Sequence, residues 1–211
     1  MVLLAFPEPP FYENAYLIAC EETGTALVVD PGDGTSRLIE SARTAGLDVK
    51  AILLTHAHLD HISGVDLARE AFGVSVFLHP ADQFLYDAVV EQGRLFGLDV
   101  RRQTTVPVAL SPSSHFAAGT LTVTVKEVPG HSPGSVALDV RDATGAVTLI
   151  VGDTLFAGSI GRTDLPGGAH ATLLDSIARE LMSYPDDVMV YSGHGEPTTI
   201  GRERRGNPYL I

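Results

Sequence analysis

Cysteine, N-terminal basic residues and long apolar runs are scarce or absent in this sequence of 211 residues. The single cysteine, Cys20, excludes an internal disulfide bond and any cysteine-rich zinc module. The first basic residue is Arg37, so the positive flank of a signal peptide is missing, and no apolar run approaches the ~20 residues of a membrane-spanning helix. We therefore expect a cytoplasmic protein that does not associate with membranes.

Positive charge is also in short supply. The chain has 14 Lys and Arg residues against 26 Asp and Glu residues, a formal net charge of -12, and its only lysines are Lys50 and Lys126. Such an acidic surface repels phosphate backbones, so a nucleic-acid partner is not expected. With 45% hydrophobic residues and no evident linker, residues 1–211 are predicted to form one domain that acts on a small molecule. The oligomeric state is left open.

What the sequence does contain is a dense run of candidate metal ligands directly after the apolar run 49–54. His56, His58, Asp60 and His61 fall within six residues. In an extended segment, residues two apart point to the same side, so His56 and His58 can bind one ion while the following turn directs Asp60 and His61 towards a second. Imidazole and carboxylate ligands suit zinc, iron or manganese better than calcium or magnesium.

Three later loops repeat this arrangement, with one polar ligand directly after a short apolar run. His131 lies in the turn Pro-Gly-His-Ser-Pro-Gly, Asp153 follows Leu-Ile-Val-Gly, and His194 stands between two glycines. Functional side chains commonly occupy loops at strand ends, where a rigid scaffold positions them. Seven candidate ligands in four such loops are what a site for two metal ions needs.

The pattern of apolar residues predicts a layered α/β fold. The runs 14–20 and 25–30 predict two antiparallel strands, and strand then alternates with helix through the first half. The second half contains β-rich runs that we assign to a second sheet, at 104–108, 121–128, 135–140 and 147–151, and a long helix at 171–184. Two strand-rich halves with helices outside predict an αββα sandwich.

The segment 81–103 has apolar residues at helical spacing, with glycines at 93 and 97. Its helical pattern fits two roles equally well. It is either a cover over the candidate site that faces the substrate or a helix that caps the edge of a sheet.

Together, these motifs resemble those of the metallo-β-lactamase superfamily and, within it, the single-domain glyoxalase II-type (hydroxyacylglutathione hydrolase-like) thioesterases. The resemblance is carried by the segments 55–61, 129–134, 152–156, 158–168 and 193–195 and by the Arg-Arg-Gly-Asn-Pro tail. It implies an αββα sandwich and a dinuclear site in three parts: His56, His58 and His131 on one metal, Asp60, His61 and His194 on the other, and Asp153 as the bridge. It also implies that this chain ends before the helical glutathione-binding domain of two-domain relatives.

The expected chemistry is hydrolysis of a thioester such as S-lactoylglutathione. Two divalent ions, zinc first and iron or manganese as alternatives, would activate a bridging hydroxide that Asp60 orients towards the carbonyl group. A thiolate, whose conjugate thiol has a pKa of ~8.5, is a good leaving group, so no dedicated general acid is needed. Arg162, Arg204, Arg205 and Asn207 are candidate contacts for a substrate carboxylate, because guanidinium groups bind carboxylates bidentately.

Other functions remain open at this point. Persulfide dioxygenases share the histidine motif but use one iron, held by counterparts of His56, His131 and Asp153, and a lactonase would differ only in pocket shape. A non-catalytic, metal-stabilised binding module is less favoured, because structural zinc sites are closed, four-coordinate and usually contain cysteine.

The three histidines outside the motifs, His79, His115 and His170, are expected to be structural. Of these, His79 is the one most suited to support the site, because it stands at a strand end. Asp30 and Asp33 are interpreted as turn residues, and the family resemblance implies that their turn lies near the metals.

Overall fold

The computed structural model describes residues 1–210 and contains two six-stranded sheets packed face to face. The first sheet has its strands in chain order: β1 (Val2–Glu8), β2 (Glu13–Ala19), β3 (Thr25–Val29), β4 (Asp48–Leu53), β5 (Val76–Leu78) and β6 (Val108–Ala109). The second sheet contains, in spatial order, β14 (Thr198–Thr199), β13 (Met189–Ser192), β10 (Val147–Gly152), β9 (Val136–Arg141), β8 (Leu121–Glu127) and β7 (His115–Ala118). A small hairpin is formed by β11 (Leu155–Phe156) and β12 (Ser159–Ile160).

Helices cover the outer faces of both sheets and fill the connections between strands. The helices are α1 (Thr35–Thr44), α2 (Leu59–Ile62), α3 (Val65–Phe72), α4 (Gln83–Asp87), α5 (Val89–Leu95), α6 (His170–Ser176) and α7 (Ile200–Gly206). A 3₁₀ turn, Pro80–Asp82, precedes α4, and a π-helical segment, Ile177–Leu181, continues α6. Over residues 1–210, no helix combines the length and apolar character that crossing a bilayer requires.

Strand β2 shows why the sequence folds into four layers. All seven of its residues are buried, and successive side chains point to opposite faces of the sheet. Tyr16 and Ile18 pack between the two sheets, while Leu17 packs on the outer side against helix residues such as Leu38 of α1. A strand that is covered on both faces has apolar side chains on both, so its sequence is a nearly continuous apolar run. The predicted αββα sandwich is therefore confirmed.

The outer face of the second sheet is covered in the same way. Leu149 and Val190 of its strands pack against Leu173 of α6 and Leu181 of the π-helical segment. Strand β10 pairs in parallel with β13, as β4 pairs in parallel with β3 and β5, so each sheet presents the carboxyl ends of parallel strands at one edge. The candidate ligands near residues 56–61, 153 and 194 follow β4, β10 and β13, and His131 lies in the loop after β8, which runs in the same direction as β10.

Two local predictions were wrong. The β-rich run 104–108 was assigned to the second sheet, but its only strand, β6, extends the first sheet and pairs in parallel with β5. The segment 81–103 does not form one helix. Ala88 interrupts the helical conformation between α4 and α5, and α5 ends at Leu95. Gly97 then adopts a φ of 70°, which favours glycine.

Candidate metal centre

The loop after β4 changes from extended to helical inside the histidine motif, as its spacing predicts. His58 has φ -73° and ψ 151°, an extended conformation, and the next residues form α2. His56 and His58 therefore lie on the extended part, whereas Asp60 and His61 lie on the first turn of a short helix. This change of direction separates the four side chains into two pairs.

The first group of donor atoms comes from three buried histidines. The Nε2 atoms of His56 and His131 are 3.2 Å apart, and Nδ1 of His58 is 2.8 Å from Nε2 of His131. Nitrogen ligands at about 2.0–2.1 Å from a tetrahedral zinc ion stand roughly 3.3 Å from one another. The three nitrogen atoms thus have about the separation that one shared ion requires.

The second group combines Asp60, His61 and His194, whose donor atoms all lie within 4.8 Å of one another. His194 Nε2 is 3.1 Å from Oδ2 of Asp60, and His61 Nε2 is 3.9 Å from the same oxygen. His194 is the most exposed of the three, with 30% of its side-chain surface accessible. This group therefore faces the solvent side of the site.

Asp153 lies between the two groups. Its Oδ2 atom is 3.6 Å from Nε2 of both His131 and His194, and its Oδ1 atom is 3.4 Å from Nε2 of His61. A single carboxylate therefore reaches histidines of both groups. A Cβ atom at Gly193 would lie 2.2 Å from Asp153 Oδ1, so the glycine before His194 lets the backbone approach this carboxylate.

Outer contacts fix the orientation of three of these imidazole rings. His61 Nδ1 donates to Oδ2 of Asp30 at 2.9 Å, and His131 Nδ1 donates to the backbone carbonyl of Arg162 at 2.8 Å. Thr55 Oγ1 donates to Asp30, so it accepts from His56 Nδ1 at 3.1 Å. A donor proton on Nδ1 leaves Nε2 as the free lone pair, which is the arrangement found in metal-bound histidines.

The protonation states of the buried side chains in the cluster favour the binding of a cation. Burial lowers the pKa of His56, and burial also lowers the pKa of His58 to about 3, so both rings are neutral and competent to bind a metal at pH 7. Burial would raise the pKa of Asp153, but His61 and the neighbouring imidazoles hold it well below its usual range. Burial would lower the pKa of His61, and Asp153 and Asp60 instead raise it.

Two buried donor atoms that lack any hydrogen-bond partner test whether a metal fits here. His61 Nε2 and Asp153 Oδ1 both lie inside the cluster, and neither forms a hydrogen bond. A buried polar atom without a partner is costly, and a coordinated cation satisfies such atoms. The donor set of imidazole and carboxylate groups is also the one that zinc, iron and manganese accept. The residues therefore fit two transition-metal ions.

A cavity of about 310 Å³ opens directly onto this cluster. His58, Asp60, His131, Asp153 and His194 form its floor. Its walls are largely apolar and come from Phe11, Phe96, Phe156 and Leu165, together with Gln92 and Arg162. The segment 81–103 thus contributes two wall residues, which favours its interpretation as a substrate-facing cover.

The four predicted carboxylate-binding residues are placed differently from one another. Arg162 lines the cavity, but its guanidinium group binds Asp164 bidentately at 2.7 and 2.8 Å. The other three use their polar groups within the fold: Arg204 donates to two backbone carbonyls, Arg205 pairs with Asp186, and buried Asn207 donates to Ser159 and Glu203. None of these three is among the residues that line the cavity, so we do not retain them as substrate contacts.

The histidines outside the motifs also stay apart from the donor groups. His79 pairs with Glu127 at 3.1 Å and accepts from the backbone of Ala81, where it caps a 3₁₀ turn. It supports the site only through that turn, which carries Asp82. His115 is exposed on β7.

Three buried acids around the site were not identified from the sequence as part of it. Asp30 anchors His61 and Thr55, Asp82 joins two ligand loops, and Glu13 lies 3.8 Å from His61 with no hydrogen bond to either carboxyl oxygen. Burial raises the pKa of Glu13 well above its ordinary value. Two of these acids stand at positions that the sequence could have flagged: Glu13 is the first residue of the apolar strand β2, and Asp30 directly follows the apolar strand β3. Asp30 also has φ 47°, a left-handed value that marks functional turns.

We expect Asp30→Ala to weaken metal binding by about 10- to 100-fold, because a missing outer carboxylate no longer orients its histidine ligand. Asp30 contacts His61 directly and His56 only through Thr55, so the larger effect is on the ion held by the group that contains His61. Competition with a chromophoric chelator measures this affinity. Asp33→Ala is the matched control from the same turn, because Asp33 bonds only to Ser63, and it leaves the affinity unchanged. Equal losses in the two variants would contradict the assigned role of Asp30.

We expect Asp82→Ala to lower the free energy of unfolding by about 3 kcal/mol. The Asp82 carboxylate accepts from the backbone of Ala57 and Gly134 and from the hydroxyl of Ser132, so it ties the histidine loop to the loop of His131. Urea denaturation of the metal-free protein measures the loss. Asp87→Ala removes an exposed acid of α4 and shifts the unfolding free energy by less than ~0.5 kcal/mol.

An αββα sandwich that gathers two His/Asp donor groups around one shared carboxylate defines a dinuclear metalloprotein of the hydrolase type. The profile of the Metallo-beta-lactamase superfamily matches residues 9–194, and the chain belongs to that superfamily. The family and the His/Asp cluster together imply a site for two metal ions.

Known relatives of the chain cover nearly its whole length. The Haemophilus influenzae protein named hydroxyacylglutathione hydrolase GloC is 35% identical over 97% of this chain and 95% of its own. Two solved structures are similar: the B3 metallo-beta-lactamase BLEG-1 (38% identity, TM-score 0.89, all of both chains) and TTHA1623 in a di-iron-bound form (40% identity, TM-score 0.87, 98% of this chain and 100% of its own). ETHE1 from Myxococcus xanthus is 26% identical over 99% of this chain and 84% of its own, with a TM-score of 0.79.

Proposed function

We propose that the protein is a metal-dependent hydrolase that cleaves thioesters of small acids. The observation that carries this proposal is the complete pair of donor groups around Asp153, placed on the floor of a cavity that opens to solvent. Similarity to the hydroxyacylglutathione hydrolase GloC supports the thioester as the class of substrate. S-lactoylglutathione is therefore one substrate to test.

The ligand roles proposed for the seven side chains follow their grouping. His56, His58 and His131 would hold one ion, Asp60, His61 and His194 the second, and Asp153 both. When bound, two such ions supply Lewis-acid polarisation of the substrate carbonyl and activation of water at neutral pH. Zinc, iron and manganese all suit this donor set, and the similar protein TTHA1623 was solved with two irons.

Asp60 is the residue proposed to orient the attacking water towards the carbonyl group and to accept its proton. Burial would raise its pKa, but His61 and His194 lower it, so the carboxylate is ionised at neutral pH. It lines the cavity, with 14% of its side chain accessible. Water adds its oxygen to the carbonyl carbon, the carbon–sulfur bond breaks, and its electron pair leaves with sulfur. At neutral pH the products are a carboxylate, a thiol and one proton that passes to solvent.

No side-chain nucleophile is needed for this reaction, and the lining of the cavity contains no aliphatic hydroxyl or thiol group. The residues that line the cavity include neither serine nor cysteine. Cys20 is buried after β2, where its sulfur contacts Thr120 at 3.4 Å. A thiolate leaves readily because its conjugate thiol has a pKa of ~8.5. Cleavage of a thioester therefore depends less on protonation of the leaving group than cleavage of an amide or an ordinary ester.

A persulfide dioxygenase is the second candidate, supported by the likeness to ETHE1. Such an enzyme needs one iron and three ligands, which His56, His131 and Asp153 provide. The present site also assembles Asp60, His61 and His194 and fixes His61 through Asp30. Persulfide dioxygenases share the histidine motif, so the ligand set does not separate the two candidates, and the hydrolase is favoured by the higher identity to GloC, 35% against 26% to ETHE1.

The two candidates are separated by supplying metal-loaded protein with each substrate. The hydrolase proposal predicts that thiol is released from S-lactoylglutathione and other thioesters, which a thiol-reactive dye detects, with no uptake of oxygen. Oxygen consumption with glutathione persulfide, and no thiol release from any thioester, would establish the dioxygenase instead. A lactone and a β-lactam in the same panel test the remaining hydrolytic activities, and inactivity towards every compound would favour a binding module.

A further inference from the structure

A second, smaller pocket of about 160 Å³ adjoins the metal-site cavity. The two spaces share four wall residues, namely His58, Gln92, Phe96 and Leu165. His58 belongs to the first donor group, so the side pocket begins beside the reacting centre. A group attached to a carbonyl carbon above the metal ligands can therefore extend into it.

The walls of the side pocket are almost entirely apolar. Five apolar residues and one acid at the rim complete the lining: Phe84, Leu85, Ala88, Leu95, Pro166 and Glu91. Three of the surrounding side chains remain exposed to water despite their size: Phe84 at 47%, Leu95 at 76% and Phe96 at 46%. A group of exposed apolar side chains beside a cavity is characteristic of a ligand-binding surface.

Away from His58, which lies where the side pocket meets the metal site and whose buried Nε2 atom has no hydrogen-bond partner, the polar residues of this wall offer little to a ligand inside the pocket. Gln92 donates to the carbonyls of Ala57 at 3.0 Å and Leu85 at 2.8 Å, and its oxygen accepts from the backbone of Leu59 at 3.1 Å. Glu91 lies at the rim, with 57% of its side chain accessible and Arg94 3.8 Å away. A hydroxyl group placed deep in the pocket would lose its hydrogen bonds to water and gain only apolar contacts.

We propose that the side pocket holds the acyl group of the substrate and that the preferred acyl group is an unsubstituted aliphatic chain longer than acetyl. This inference rests on the thioester hydrolase function proposed above and narrows its substrate class. The acyl chain lies against Phe84, Ala88 and Leu95, while the carbonyl group stays beside the metal ligands. The thiol portion occupies the larger cavity.

Size and polarity decide which half of the thioester enters the side pocket. Common thiol carriers are polar molecules too large for about 160 Å³, whereas a short acyl chain fits. The larger cavity opens to solvent past His194 and contains the polar side chains, so it suits the carrier. Burial of each methylene group against an apolar wall contributes favourable free energy without a directional partner.

The first test is a series of thioesters that share one neutral thiol, N-acetylcysteamine, and differ in the acyl chain. We expect kcat/KM to rise roughly four-fold for each methylene from acetyl to butanoyl, since one buried methylene contributes about 0.8 kcal/mol and 1.36 kcal/mol is a factor of ten. Hexanoyl reports where the pocket is full. Dividing each value by the rate of alkaline hydrolysis removes differences in intrinsic reactivity.

A matched pair within this series tests the apolar character of the pocket. Propanoyl and lactoyl thioesters differ by one hydroxyl group. After the same correction, we expect propanoyl to be hydrolysed with a kcat/KM about tenfold higher, because the hydroxyl loses its hydrogen bonds to water on entering the pocket. A preference for lactoyl would overturn the assignment of the side pocket.

A variant that fills the pocket locates the effect. Ala88→Phe is expected to reduce the butanoyl-to-acetyl ratio of kcat/KM from roughly fifteen to about one, because the added ring occupies the space of the chain. Leu67→Phe, at an exposed apolar position of α3 outside the pocket, leaves the ratio unchanged. Calorimetric titration with acetate and butanoate gives a readout that does not depend on turnover, with a dissociation constant about fifteen-fold lower for butanoate.

The outcomes separate this inference from the function on which it rests. Hydrolysis of thioesters with no dependence on chain length, or with the same dependence in the Ala88→Phe protein, would overturn the acyl pocket and leave the thioester hydrolase standing. Failure to hydrolyse any member of the series would overturn both. A rise with chain length that Ala88→Phe removes and Leu67→Phe retains is the predicted result.

Discussion

Asp153→Ala is expected to lower kcat/KM for thioester hydrolysis by at least about 10³-fold and to reduce the metal bound per chain. The carboxylate of Asp153 lies within 3.4–3.6 Å of the donor nitrogens of His61, His131 and His194, and so touches both groups. Its removal leaves those nitrogens without the negative charge that a shared pair of cations requires. Metal analysis by plasma emission after gel filtration, with steady-state kinetics on the same sample, measures both effects.

The control for this variant is His115→Ala, which removes an exposed imidazole on β7 and changes neither metal content nor rate. Circular dichroism and the unfolding midpoint establish that both proteins are folded. Full metal content and unaltered kinetics in the Asp153→Ala protein would show that Asp153 is not a shared ligand. A loss of metal in the His115→Ala protein would also contradict the ligand assignment, because His115 is not among the assigned ligands.

Asp60→Asn is expected to lower kcat by about 10²- to 10⁴-fold while the protein still binds two ions at saturating metal. The amide oxygen of asparagine can still bind a metal ion beside His194, whose Nε2 atom lies 3.1 Å from the Asp60 carboxylate in the structure. The amide, however, cannot take a proton from water. The prediction therefore separates loss of proton transfer from loss of metal, which Asp153→Ala does not.

The matched control is Asp87→Asn, an exposed acid on α4 whose only side-chain hydrogen bond is with Gln83. It leaves kcat unchanged. Retention of the full rate in Asp60→Asn would remove Asp60 from its proposed role as a base. Loss of one ion at saturating metal would make it chiefly a ligand.

The ligand loops could be identified from the sequence because their signal is local. Each consists of a strand followed within a few residues by a histidine or an aspartate, with a glycine close by. The change from extended chain at His58 to helix at Leu59 was also predictable, because it follows from the spacing of four polar residues. These patterns involve neighbours in the chain, and the fold then brings the strand ends together.

The supporting acids and the paired arginines depend instead on contacts between distant parts of the chain. Asp30 reaches His61 across 31 residues, and Asp82 reaches Ser132 across 50. In the same way, Arg205 pairs with Asp186 across 19 residues. The sequence offered this guanidinium group as a substrate contact, but in the fold it binds a carboxylate of the protein. No local pattern distinguishes such an acid from a turn residue or such an arginine from a free one.

The short strands were missed for a related reason. Strand β6 has two residues, both exposed, and takes its place only through pairing with β5. Strand β14 is equally short and pairs with β13. Propensity within two residues is too weak to predict a strand, so the neighbouring strand determines the outcome.

We propose that catalysis requires two metal ions, one held by each of the two donor groups. Metal-free protein titrated stepwise with zinc, with thioester hydrolysis measured at each addition, tests it most directly. We predict that activity increases until two equivalents per chain are bound and is low at the first. Maximal activity at a single bound iron, with uptake of oxygen on a persulfide and no thioester hydrolysis at any metal content, would contradict the account.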